Sequence, residues 1–387
     1  MLLLLQKKSF LYILLVLFIG FISCKKEKQT SIKIPKAKER TLKYAKGFTI
    51  KDYNTYQVLE IKNPWPKAEK TYRYVCISQE NAAKTSFLKN DYNAIIITPI
   101  KNIVVTSTTH IPALELLGEE KTLVGFPGTE YVSSKKIRAR IDSGNVRELG
   151  KNEGINTEVL LELNPEVVVG FGIDGNNKSL DLIEKAGIPV LYNGDWVETS
   201  PLAKAEWIKF FGVLYNKEKA ADSIFNTIEK EYITAKKIAA KVKNKPTILS
   251  GAMHNDIWYL PNGTSTEAQL LKDANTNYLW QDSEGTGSLQ LNFESVFIKA
   301  QNADIWLSPS NYSSLEHLKN ASAHNAEFKA FKNKNIYSST NTTGDTGGVL
   351  YFELGMSRPD LVLKDLIKIC HPELLKDYDL YFFERLK

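Results

Sequence analysis

Lys217–Val242, KEKAADSIFNTIEKEYITAKKIAAKV, is the stretch on which the reading of this chain turns. It holds no Gly and no Pro, so nothing in it breaks a helix. At 1.5 Å per residue it predicts a helix about 40 Å long, more than the diameter of a typical small lobe. The helical pattern starts at Pro201, is interrupted near Gly212 and Asn216, and ends at Asn244-Lys245-Pro246.

On either side of this stretch the pattern changes. Gln57–Lys62 and Tyr72–Ser78 read as strands, with Asn63-Pro64-Trp65-Pro66 as the breaker between them. After Asn90, short β-branched runs alternate with helical patterns. Ala94–Ile97, Ile103–Thr106, Thr122–Val124, Glu166–Gly170 and Pro189–Tyr192 are predicted strands. Pro112–Leu117, Thr157–Leu163 with Asn156 as N-cap, and Ser179–Ala186 closed by Gly187 are predicted helices. The alternation resumes at Thr247–Ser250. Strand–helix–strand order of this kind predicts parallel sheets. The expected fold is α/β: two Rossmann-like lobes with central, largely parallel sheets joined by one long α-helix. The expected boundaries are 41–215 for the N-terminal lobe, 216–243 for the bridging helix and 244–387 for the C-terminal lobe.

The two halves echo each other. Asn156-Thr157-Glu158-Val159-Leu160 followed by Pro165–Val169 parallels Asn292-Phe293-Glu294-Ser295-Val296 followed by Ala303–Leu307. Each is a capped helix with Glu in its first turn, a short connection and an apolar strand. A Glu there also suits the helix dipole, so the echo by itself does not assign a function.

Composition narrows the classes. The 387 residues carry a formal net charge of +6, with 11% aromatic and 24% charged residues. Basic and acidic side chains are interleaved, and much of the excess lies before Lys46, so no nucleic-acid partner is expected. Lys7 and Lys8 precede an apolar run from Phe10 to Ile22, followed by Ser23 and Cys24. The run is short for a bilayer span, and the arrangement is that of a secretory signal over residues 1–23. Phe21-Ile22-Ser23-Cys24 resembles a bacterial lipobox, which implies lipidation of Cys24. Residues 24–40, polar and lysine-rich, are the expected tether. Cys76 and Cys370 are expected to be two separate buried thiols.

In this order and spacing the body resembles the iron-siderophore, haem and cobalamin substrate-binding proteins of ABC importers. The matching stretches are Ile103–His110 with Leu114–Gly118, Asn156–Gly170, Lys185–Val190, Ala268–Leu279, Asn292–Leu307 and Arg358–Leu366. The resemblance implies an extracytoplasmic, lipid-anchored monomer that captures a ferric siderophore, haem or a corrinoid between its lobes. It implies as partners an ABC permease and a separate ATPase subunit. By position in the motif, Glu158 and Glu294 are the residues expected to dock on the permease. Sequence does not choose between importer docking and a surface lipoprotein that hands ligand to an outer-membrane receptor, nor between inner and outer membrane.

The ligand is expected at the C-terminal ends of the strands. Candidates there are Thr108, His110, Phe171, Asp174 and Trp196 in the first lobe, and His254, Trp258, Ser308 and Tyr312 in the second, with the Asn341–Gly348 loop nearby. His110 and His254 fall in loops of opposite lobes, open to meeting one another or to ligating haem. His317, His324 and His371 are expected at the surface, so a dedicated bare-metal site is disfavoured. No resident metal or cofactor is expected. The chain has no Walker-type loop and no Gly-x-Ser-x-Gly elbow. Ser133-Ser134-Lys135-Lys136 contains a Ser-x-x-Lys, but the partner motifs expected of a serine β-lactamase are missing. An enzyme is therefore not expected.

Overall fold

The structure, a computed structural model, describes residues 37–88 and 91–387. The signal segment, Cys24 and most of the tether lie outside the described residues. The end of the expected tether is a strand: β1 (Lys38–Arg40) pairs antiparallel with β2 (Phe48–Asp52). Its polar Lys-Glu-Arg sequence hides this, since β1 is an edge strand whose side chains stay partly in water. β3 (Tyr56–Ile61), β4 (Tyr72–Ser78) and β5 (Ala94–Thr98) complete a five-stranded sheet in the order β1-β2-β3-β4-β5.

The first lobe has a parallel sheet in the order β12-β11-β6-β7-β8. Its strands are β6 (Ile103–Val105), β7 (Leu123–Phe126), β8 (Arg147–Glu148), β11 (Val167–Gly170) and β12 (Val190–Tyr192). A small hairpin, β9 (Gly150–Lys151) with β10 (Gly154–Ile155), follows β8. Between the strands run α1 (Ile111–Leu116), α2 (Lys135–Asp142), α3 (Thr157–Leu163) and α4 (Lys178–Lys185). β6 and β11 are buried on both faces, which is why they read as unbroken apolar runs. One face shares a core with the N-terminal sheet through Phe48, Ile61, Tyr74 and Ile96. The other packs on Leu160, Leu180 and Ile183 of α3 and α4.

The helical stretch divides into α5 (Pro201–Glu206), α6 (Ile208–Leu214) and α7 (Glu218–Ala239). α7 has 22 residues, shorter at both ends than the expected bridging helix. Its apolar positions, Ala221, Phe225, Ile228, Tyr232, Ala235 and Ala239, recur at helical spacing and are all buried.

The second lobe has the sheet order β16-β13-β18-β19-β20. Its strands are β13 (Thr247–Ser250), β16 (Asn277–Tyr278), β18 (Ile305–Leu307), β19 (Ile336–Ser338) and β20 (Glu384–Arg385). Only β20 is antiparallel to its neighbour. An antiparallel sheet of β14 (Ala252–His254), β15 (Ile257–Pro261) and β17 (Ser288–Leu291) adjoins it. Its helices include α8 (Thr266–Asp273), α9 (Phe293–Ala300), α10 (Leu350–Leu354) and α11 (Pro359–Cys370). α11 packs along α7, with Lys364 Nζ 2.7 Å from a Glu231 carboxylate oxygen.

The lobes also touch directly. Glu353 of α10 accepts hydrogen bonds from the Ser133 and Ser134 backbone N–H groups at 2.6 and 2.9 Å. The loop before α10 lies so close to the first lobe that a Cβ on Gly348 would stand 2.2 Å from the Tyr131 carbonyl oxygen. Cys76 is buried and Cys370 half-buried, and both are free thiols.

Candidate functional site

A cavity of about 640 Å³ lies between the segment after β12 and the second lobe. The first lobe lends it Pro66, Trp196, Val197, Glu198, Thr199 and Lys204. The second lends backbone and hydroxyls at the ends of β13, β18 and β19 (Ser250, Gly251, Ser308, Ser310, Ser339, Thr340), with Thr266, Thr286 and Ser288 beside them. Tyr259, Tyr351 and Phe352 add aromatic faces, and Glu267 adds a carboxylate. Strand ends in α/β sheets are where backbone groups and short side chains are left facing a crevice, so this placement follows from the topology.

Trp196 stands half-buried on a helical turn, Asp195–Val197, with its ring 5.7 Å from that of Phe171. Its indole N–H is buried without a partner among the described residues, as are Asn193 Nδ2 and Asp195 Oδ1. Asp195 is pushed up to about 6 by burial, against the pull of Lys204, the Trp196 backbone N–H and the Thr109 hydroxyl. Glu198 is committed elsewhere: its Oε1 accepts from Lys46 N, Gly47 N and Trp207 Nε1 at 2.8–3.1 Å.

Of the residues expected in the cleft, Trp196 and Ser308 line the cavity and Phe171 backs Trp196. The others do not line it, and two are plain corrections. Trp258 is fully buried in the second core, 5.4 Å from the Trp306 ring, with its Nε1 donating to the Ser250 carbonyl at 3.0 Å. His110 is fully buried beside Phe211, and burial alone pushes its imidazole down to about 3. It is neutral at physiological pH and out of reach of a ligand. Thr108 sits in the turn Thr108–His110, half-buried, where α10 of the second lobe packs. Asp174 is exposed and binds the Asn176 N–H at 2.9 Å. His254 is exposed at a hairpin tip next to Asn255, so it does not meet His110. Tyr312 lies edge-on to His317 at 5.2 Å. His371, expected at the surface, is buried, its Nε2 3.1 Å from the Ala274 carbonyl oxygen.

Tyr259, Tyr351, Phe352, Lys204 and Glu267 were missed from sequence. Tyr259 had a signal: β15 alternates, with Trp258 and Leu260 buried and Ile257 and Tyr259 exposed. If Trp258 is core, its neighbour faces the crevice. Tyr351 and Phe352 come from a five-residue helix that local sequence does not announce.

Glu158 and Glu294 occupy matching positions. Asn156 Oδ1 accepts from Val159 N at 3.1 Å, and Asn292 Oδ1 from Ser295 N at 2.9 Å. Each Glu stands exposed in the first turn that its Asn caps. Among the described residues no group of three or more His, Cys, Asp or Glu side chains is placed to hold a metal ion. No described helix is long and apolar enough to cross a membrane.

The sequence model of the periplasmic binding proteins matches residues 103–342, from β6 to the loop after β19. An uncharacterised lipoprotein of Methanocaldococcus jannaschii is 29% identical over 299 residues, 75% of this chain and 69% of the relative. A periplasmic binding protein from Veillonella parvula superposes with a TM-score of 0.58 at 12% identity, covering 82% of this chain and 99% of its own. The periplasmic haem-binding protein RhuT of Roseiflexus, in its apo form, superposes with a TM-score of 0.54 at 19% identity over 71% of this chain and 99% of its own. Identities this low carry the fold alone, but the family model spans more than half of the chain. The chain belongs to the periplasmic binding protein family, whose members bind solutes outside the cytoplasm.

Proposed function

We propose that this protein is the substrate-binding component of an ABC importer and that it carries an iron complex, either a ferric siderophore or haem, or a corrinoid. The observation that carries this reading is the cavity between two parallel-sheet lobes joined by one helix, walled by aromatic faces and hydroxyls. Such a wall binds a bulky, ready-made chelate by surface contact and needs no resident metal or cofactor. The reading includes no catalytic step: the protein binds, presents and releases. Lipid on Cys24 tethers it to a membrane, outside the cytoplasm. Titrating purified protein with haem, a ferric hydroxamate and a corrinoid while following tryptophan fluorescence tests it. Saturable quenching at micromolar or lower concentration is expected for one of them; no response to any of the three sinks the reading.

Docking on the permease is assigned to Glu158 and Glu294. Two exposed carboxylates held on separate lobes by matching caps suit recognition of two basic groups at fixed spacing. Replacing both by Ala is expected to cut ligand uptake by an order of magnitude or more and leave ligand affinity unchanged. Uptake at the parental rate removes the assignment.

A further inference from the structure

We infer that the cleft selects a ligand without net negative charge that presents amide or hydroxyl groups, and discriminates against polyanionic chelates. This rests on the reading of the cavity as the capture site. Drawing an anion out of water costs several kcal/mol or more unless a cation meets it, and the residue suited to a carboxylate or catecholate edge is Arg, with its planar fork. Among the described residues no Arg or His lines the cavity, and its one cation is Lys204. That ammonium lies near enough to the buried Asp195 carboxyl to favour its ionisation, although burial holds Asp195 up at about 6. Glu198 and Glu267 stand in the same wall, so the lining charge is negative. An incoming polyanion would find a single ammonium in this lining against two carboxylates.

The remaining polar groups point to what replaces charge. Nine Ser and Thr side chains line the cavity. Among the described residues only two of them make side-chain hydrogen bonds: Thr266 to the Glu198 carbonyl and Thr340 to Ser310 and Ser338. Ser250, Ser308 and Ser339, at the ends of the central strands, keep their hydroxyls uncommitted. A hydroxyl both donates and accepts, which matches amides and hydroxyls and gives a carboxylate no charge compensation. Trp196 adds an aromatic face on the opposite lobe. Tyr259 and Phe352, 36% and 57% exposed, hold apolar faces open for a ring or macrocycle.

The test is a matched set of ligands titrated into the full-length protein: an uncharged ferric trihydroxamate against a trianionic ferric tris-catecholate, and a corrinoid without net negative charge against haem with its two ionised propionates. The non-anionic member of at least one pair should bind about 10-fold or more tightly than its anionic counterpart. Glu267→Lys, an exposed substitution that places a cation in the wall, should narrow that gap by strengthening the anionic member alone. Equal or tighter binding of the anions, or no response of the anionic member to Glu267→Lys, overturns the inference and leaves the capture reading standing. Failure of every ligand to bind overturns both.

Discussion

Two tryptophans show how far a single residue can be read. Both Trp196 and Trp258 follow a strand in a cleft loop, and sequence makes them equivalent candidates. The structure puts Trp258 among Trp306 and Phe328 at 5.4 and 5.6 Å, and leaves Trp196 on the cavity wall. Trp258→Ala should therefore cost about 3–5 kcal/mol of stability, the penalty of an emptied aromatic site in a packed core. Trp196→Ala should leave the denaturation midpoint nearly unchanged and weaken ligand binding. Urea unfolding and fluorescence titration on the two variants distinguish the roles; a ligand-affinity loss confined to Trp258→Ala would reverse the assignment. Sequence could not separate the two because alternation in a strand shows that two faces exist, not which one is the core. His110 fails for a related reason. A histidine after a strand looks like a ligand, but here the chain turns it under Phe211, where desolvation keeps it neutral.

At the scale of elements, what local sequence controls was legible and what tertiary contact controls was not. The capped helices at Asn156 and Asn292 and the buried strands of both central sheets follow from side-chain chemistry a few residues away. The end of α7 does not. Lys241 and Val242 are compatible with helix, yet the regular helix stops at Ala239. Asn275, from the loop after α8, donates its Nδ2 to the carbonyls of Ala239 at 3.0 Å and Val242 at 2.8 Å. A side chain more than thirty residues away thus satisfies carbonyls that a helix end leaves open. Asn275 also adopts a φ of 59°, which Asn tolerates better than Ala. Asn275→Ala should then lose about 1–2 kcal/mol, from the missing cap and the left-handed backbone together. Asn275→Gly keeps the backbone freedom and removes the cap, so a smaller loss in Gly than in Ala apportions the two terms. Thermal unfolding of both variants measures them, and parental stability in each would show that water caps the helix equally well.

Across the whole molecule, α7 is not the only link between the lobes: Glu353 closes a second one on the Ser133 and Ser134 N–H groups at the start of α2. Those donors favour the carboxylate, but burial opposes it more strongly, and the charge of Glu115 adds to the opposition. Glu353 is held at about 7, against 4.5 for an unconstrained Glu. The folded chain therefore binds this proton more tightly than the unfolded chain does. The stabilisation this brings is fully present below pH 4.5 and is lost as pH rises through about 7. A shift of this size corresponds to about 3 kcal/mol at most. Asp195, raised by burial, changes stability in the same direction, while Glu148 and Asp304, lowered by their hydrogen bonds, change it in the other. The pH profile of the native protein alone thus cannot isolate the lobe contact, but Glu353→Gln can, because it keeps an accepting oxygen and removes the titration. Unfolding free energies of both proteins at pH 4.5 and pH 8 should show the variant gaining on the parent by up to about 3 kcal/mol across that window. A difference between the two proteins that stays constant with pH would mean that Glu353 titrates as a solvated carboxylate. The contact between the lobes would then be open to water and could not help α7 to hold the cleft at a fixed width.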